Sequence, residues 1–192
     1  IVKLEQFVKA PVSQVYRAFT NSTALREWMG DFATLEAKPG GRVYIWWHSG
    51  FYTSGEFVSL EPDKQVIFTW YGKGEPRSTQ VIVTFKSTRK GTLVRLTHRG
   101  LGSGKAWNGM PEAFSAEWQN SLQNLASVLG EGPDLRVTQR PMLGISLSDF
   151  NADIAKKLGV PVKDGIRLDG VIDGDRNGMK PDPGRPGLME PG

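Results

Sequence analysis

Between Phe32 and Arg99 the chain is a succession of strand-like segments cut by turn signals, with no segment long enough to be a crossover helix. The cuts are "KPGG" at 38–41, "HSG" at 48–50, "EPDK" at 61–64, "GKGEP" at 72–76 and "RKG" at 89–91. Each is rich in residues that favour tight turns. Parallel neighbours need long crossover connections, so this spacing leaves antiparallel hairpins as the way to pair. Ahead of the run, "IVKLEQFVKA" alternates weakly and reads as a strand. Pro11 then opens a helix with Val12, Val15, Tyr16 and Phe19 on one stripe, and a short helical stretch runs to Trp28.

Beyond the strands the pattern changes in kind. The segment "PEAFSAEWQNSLQNLASVLG" has Pro111 and Glu112 in its first turn and Gly130 just past its end, the polarity expected of a helix. Phe114, Trp118, Leu122, Leu125 and Leu129 recur every three or four residues along it, which predicts one buried face on a helix of about 20 residues, roughly 30 Å long. Such a helix, arriving after an antiparallel array, has to bury its aromatic stripe against the concave side of the sheet. The predicted fold class is α+β, a curved antiparallel sheet wrapped around a long C-terminal helix.

Composition narrows the function classes. The chain has 192 residues and no cysteine, which removes disulfides, thiolate metal sites and cysteine nucleophiles and suits a reducing compartment, read here as cytoplasmic. No apolar run approaches the length of a membrane span, and the first residues mix charges where a signal peptide would be apolar. Net charge is +4, with 15 Lys and Arg against 11 Asp and Glu up to residue 132 and 9 against 9 afterwards. These charges are scattered rather than gathered on one face, so neither nucleic acid nor a membrane is expected as a partner. All six tryptophans and four tyrosines precede residue 119, whereas residues 175–192 hold eight Gly or Pro in eighteen and lack the pattern of helix or strand. The expected division is residues 1–132, then 133–174, then a Gly/Pro-rich tail at 175–192, with the first break at Gly130 to Pro133.

The ordered motifs "VKAPVSQVYRAFT", "REWMG", "GGRV", "GEFVSLEPDKQVIFTW", "TLVRLTHRGL" and "W…LQNLASVLGEGPDLR" resemble the helix-grip superfamily of START-like and SRPBCC proteins. Within it they resemble the branch of activators of the 90-kDa heat-shock-protein ATPase and their homologues, over residues 1–136. The resemblance implies an apolar cavity between sheet and C-terminal helix, used in different members for lipids, hormones or polyketide-like molecules. A minority of members are enzymes, and the eukaryotic activator touches a chaperone, so fold carries over more securely than function. A second stretch, "RPMLGISLSDFNADIAKKLGVPVKDGIRLDGVIDG", resembles the first half of a protease-associated PDZ domain, over residues 140–181. Met142, Leu143, Gly144 and Ile145 match the loop whose amides take a peptide carboxylate in that family. Ser148 is expected to cap a short helix bearing Phe150, Ile154 and Leu158. The later strands and second helix of that family are absent.

Candidate site residues derive from the cavity expectation. Trp28, Trp47, Trp70, Phe114, Trp118 and Leu122 are the apolar candidates for its lining, with Glu56 and His98 as polar groups that orient a ligand. Alternation places His98 with Val94 and Leu96 on the inner side of its strand. A buried histidine is more often satisfied by a hydroxyl or carbonyl than used as a base, so no catalytic residue is assigned. "GLGSGKA" at 100–106 lacks both the spacing and the hydroxyl of a phosphate-binding loop. His48 and His98 have no partner at metal-ligand spacing, so no metal and no cofactor is expected. The leading expectation is non-enzymatic binding of a small apolar molecule. A protein or peptide partner, through the chaperone-associated branch or the PDZ-like part, is the alternative, and a hydrolase or cyclase using His98 is the third.

Overall fold

The computed structural model describes residues 1–139, 145–161 and 165–171. Two compact units divide the chain between Thr138 and Gln139, after rather than within the Gly130–Pro133 stretch. In the first, seven strands form one antiparallel sheet: β1 (Val2–Val8), β2 (Phe32–Leu35), β3 (Arg42–Trp46), β4 (Tyr52–Glu61), β5 (Gln65–Gly72), β6 (Thr79–Thr88) and β7 (Gly91–Arg99). Their order is β1-β7-β6-β5-β4-β3-β2. From β2 to β7 each strand pairs with its sequence neighbour, as short turns require, and β1 closes on β7 with Val2 opposite His98. Helices α1 (Val12–Thr20) and α2 (Ser22–Arg26) pack at one end of the concave face, and α3 (Met110–Leu129) lies across it. This is the predicted helix-grip α+β fold.

The core explains the geometry. Inner-face residues Val66, Phe68, Val81, Val83, Val94 and Leu96 meet Val15, Phe19 and Leu25 of α1 and α2 and Trp118, Leu122 and Leu125 of α3. The predicted α3 stripe is therefore the buried face, with Phe114 and Leu129 half-buried at its two ends. Phe19 stacks on Trp28 at 4.9 Å and on Phe85 at 5.4 Å between ring centroids.

Past α3 the chain folds back on the first unit. The short helix α4 (Leu135–Thr138) is tied down by a polar clasp. Asn124, buried mid-stripe on α3, donates to Trp28 O at 2.8 Å and Asp134 Oδ1 at 3.0 Å and accepts from Leu135 N at 2.7 Å. Arg136 donates to the carbonyls of Arg26, Glu27, Met29 and Gly30 at 2.9–3.1 Å while pairing with Asp134 at 2.7 Å. One guanidinium thus satisfies carbonyls that α2 leaves unpaired at its C-terminal end. The Arg136 hydrogen bonds hold the Asp134 carboxyl below the usual carboxylate range.

The second unit contains β8 (Ile145–Phe150), α5 (Ala152–Leu158) and β9 (Gly165–Val171), with β8 antiparallel to β9. The cap of α5 is Asn151, whose Oδ1 accepts from Asp153 N and Ile154 N at 3.1 Å each. Ser148, expected in that role, lies within β8. The expected carboxylate loop Met142, Leu143 and Gly144 lies outside the described residues, as does the 175–192 tail, and Ile145 begins β8.

Candidate functional site

The sheet and α3 close tightly at the α1–α2 end and part at the other. There they enclose a cavity of about 550 Å³. Trp70 of β5 forms its floor, Trp47 and Phe51 from the β3–β4 turn one wall, and Phe114 and Trp118 from the N-terminal half of α3 the roof. Met29 closes the inner end, while Ser49, Lys73 and Glu117 are exposed side chains in the wall. Ring centroids of Trp70 and Trp118 are 5.2 Å apart, those of Trp47 and Trp70 6.3 Å, and those of Trp47 and Phe51 5.5 Å. Aromatic walls with few polar groups are the usual make-up of a small-molecule site.

His98 lies behind this wall, fully buried on β7. Trp118 Nε1–H donates to His98 Nδ1 at 3.2 Å, and Thr79 Oγ1 donates to Trp70 O at 3.0 Å. Those two bonds fix the tautomer: Nε2 carries the proton and donates to Thr79 Oγ1 at 2.7 Å. The Phe114 ring meets the imidazole edge-on at 4.6 Å. Burial lowers the His98 pKa to about 4, so the ring is neutral at physiological pH. With both nitrogens engaged, His98 positions Trp118 and Trp70 and offers the cavity no free base.

The buried charged side chain in the cavity wall is Glu75. The turn after β5 brings it back over the sheet, with Glu75 N bonded to Gly72 O at 3.0 Å. Its carboxyl occupies the space above Gly72, where any side chain would collide with Glu75 Oε1 and the Phe51 ring. Oε1 accepts from Trp70 Nε1 at 2.8 Å. Oε2 is buried without a partner among the described residues, and Glu75 as a whole is 7% exposed. Burial pushes its pKa up, offset in part by the Gly72 backbone N–H and then by the Trp70 indole N–H. Thr53, directly opposite Gly72 on β4, likewise has a buried side-chain oxygen without a partner among the described residues.

The predicted residues divide accordingly. Trp47, Trp70, Phe114 and Trp118 meet in the cavity wall. Trp28 is buried at the α1–α2 end, where its indole donates to Ala18 O at 3.0 Å. Leu122 is buried in the solid core beyond Trp118 and does not line the cavity. Glu56 is exposed on the outer face, opposite Arg42, because its neighbour Phe57 takes the inner position. The glycine loop at 100–106 contributes nothing to the cavity wall; Trp107 is buried beneath it, and Arg77 lies 5.9 Å from the Trp107 ring and donates to Gly100 O. Among the described residues no group of three or more potential metal ligands converges, and no helix is long and apolar enough to cross a membrane.

A second feature lies on the opposite face of the sheet. Phe32, Trp46 and Tyr52 form one cross-strand row, with Tyr44 and Tyr71 in the next. Phe32, Tyr52 and Tyr71 are 48%, 38% and 47% exposed. Large aromatics on an outer face have no role in the core of this unit and form an apolar strip on it.

The family model described as activator of Hsp90 ATPase homolog 1-like protein matches residues 9–130. The human activator of 90 kDa heat shock protein ATPase homolog 1 is 30% identical over 98 residues, covering 51% of this chain and 28% of the human protein. The chain thus matches little more than a quarter of that relative's length. A crystal structure of a Mesorhizobium loti protein superposes with a TM-score of 0.61 at 21% identity, covering 69% of this chain and 98% of that one. A Plasmodium falciparum HSP90 activator gives a TM-score of 0.57 at 26% identity, covering 67% and 94%. The family match ends at residue 130, and the PDZ-like resemblance of residues 140–181 draws no support from it.

Proposed function

The chain belongs to the activator of Hsp90 ATPase homolog 1-like family, and on that premise we propose that it binds a small apolar molecule between β5 and the N-terminal half of α3. The observation that carries this is the cavity of about 550 Å³ walled by Trp47, Trp70, Phe114 and Trp118, a size within the usual range for ligand sites. The proposal is one of binding rather than catalysis. His98 has both nitrogens engaged, and Glu56 faces the other way, so the two groups on which the hydrolase or cyclase alternative was built do not meet in the cavity. A cytoplasmic setting belongs to the same proposal and rests on the absence of cysteine.

Native mass spectrometry of the full chain, followed by denaturing extraction, tests this directly. The expected result is a released apolar small molecule, or saturable binding of Nile red that Trp118→Ala weakens by roughly tenfold, about 1.4 kcal/mol. A clean apo mass together with no Nile red binding would overturn the cavity proposal.

The outer aromatic strip supports a second reading, a docking face for a chaperone of the 90-kDa heat-shock class, the partner named in the family's description. Adding the chain to such a chaperone should then raise its ATPase rate, and the Phe32→Ser, Tyr52→Ser double variant should lose the effect while still binding Nile red. An unchanged rate with the native chain would remove this reading. The peptide-binding alternative rests on the PDZ-like resemblance alone.

A further inference from the structure

The proposed cavity leaves open what kind of apolar molecule fits, and its one unsatisfied atom addresses that. Glu75 Oε2 is a buried acceptor at the cavity wall with no hydrogen bond and, among the described residues, no ion pair. An unsatisfied buried acceptor carries the full cost of its lost hydration, so a ligand that donates to it gains more than a typical exchange with water would give. We infer that the occupant carries a protonated amine on an aromatic or aliphatic body, with an N–H of the ammonium donated to Glu75 Oε2. This rests on the cavity proposal and narrows it.

Three further features favour a cation over a neutral or anionic donor. The charged side chains in the wall are Glu75, Glu117 and Lys73, an excess of one negative charge. Lys73 Nζ is turned away to Gly50 O at 3.2 Å, so the protein's own ammonium does not neutralise Glu75. The cavity lining also includes the rings of Trp47, Phe51, Trp70, Phe114 and Trp118, and aromatic ring faces attract cations, more strongly once both partners are desolvated. His98, the other titratable group nearby, contributes no opposing charge, because it stays neutral and hydrogen-bonded behind the wall. An anionic ligand would meet both carboxylates and electron-rich rings. Glu75 also has the shape of a built anchor: Trp70 fixes one oxygen, Gly72 leaves room for the group, and the other oxygen is buried with no hydrogen-bond partner among the described residues.

The test uses three probes of similar size on the full chain at neutral pH: phenethylamine, phenethyl alcohol and hydrocinnamate, each titrated by calorimetry. Phenethylamine is expected to bind about tenfold more tightly than phenethyl alcohol, with hydrocinnamate weakest. Glu75→Gln, which keeps an acceptor for Trp70, should bring amine and alcohol to within about twofold of each other, with the amine losing more than the alcohol. Alcohol binding in both proteins confirms that the cavity is intact. If the alcohol or the acid binds as tightly as the amine, or if the amine preference survives Glu75→Gln, the inference fails while the cavity proposal stands. If none of the three probes binds and Nile red fails as well, both fall together.

Discussion

The two halves of α3 lie on the same sheet and do opposite things. Its C-terminal half presents Leu122, Leu125 and Asn124 to a filled region closed by α1, α2 and the Arg136 clasp. Its N-terminal half presents Phe114 and Trp118 to a hollow, where rings touch at their edges and leave volume between them. The difference teaches where stability and function separate in this fold. Atoms at the filled end are surrounded on all sides, whereas at the hollow end large rigid rings hold a space open and two indole N–H groups are fixed by titratable partners.

The largest test of that contrast is truncation. Leu125→Ala at the filled end should cost about 3–4 kcal/mol in chemical denaturation, and Phe114→Ala at the hollow end only about 1–2 kcal/mol, because its ring already borders empty space. Equal costs would break the comparison. Next is the response to acid. His98 is neutral when folded down to about pH 4, whereas the unfolded chain takes up its proton near pH 6.5, so stability is fully present above 6.5 and falls as pH drops toward 4. The loss from this group is on the order of 3 kcal/mol, and His98→Gln should flatten that part of the stability profile. A native profile already flat over this range would show that the Trp118–His98–Thr79 chain is not closed.

Third, Arg136→Lys should destabilise by about 2 kcal/mol, since a single ammonium cannot serve four carbonyls and a carboxylate together. Guanidine melts measure it, and an unchanged midpoint would mean the clasp contributes nothing to the filled end. The smallest effect belongs to Glu75, whose raised pKa makes stability fall as pH climbs from the ordinary carboxylate range through its folded value. Glu75→Gln should remove that decline and gain less than about 1 kcal/mol at neutral pH, solvent at the cavity mouth screening the charge. A loss of stability instead would recast Glu75 as a structural ion rather than a strained acceptor.

The sequence made the frame legible because periodicity reports burial directly. The α3 stripe and the inward face of His98 both came from spacing, and four of the aromatic cavity candidates meet as a wall. Glu56 was misplaced for a specific reason. Half-buried Leu60 and buried Phe57 both pack into the core, yet they are three residues apart. The bulge between Phe57 and Ser59 makes this possible, and alternation counted back from Leu60 puts Glu56 on the wrong side. Glu75 was invisible because "GKGEP" reads as a turn, and turn residues are expected in solvent. The trace it left is Gly72, a glycine ending a strand of large residues, as if something else had to occupy its place. The clasp residues Asp134, Leu135 and Arg136 lie past the break expected at Gly130 to Pro133, yet they belong to the first unit. Asn124, a polar residue directly before Leu125 of the apolar stripe, was the available sign that a polar partner lay across from it.

The Arg136 clasp has a consequence for how this domain can be cut. The stretch shared with the family runs from residue 9 to 130, yet β1 precedes it and Asp134, Leu135 and Arg136 come after it. A fragment trimmed to the shared stretch would expose the edge of β7 and leave the carbonyls after α2 without donors. The span of the family match and the span of the packed first unit are therefore different lines, and the residues that clasp its end lie in the margin between them.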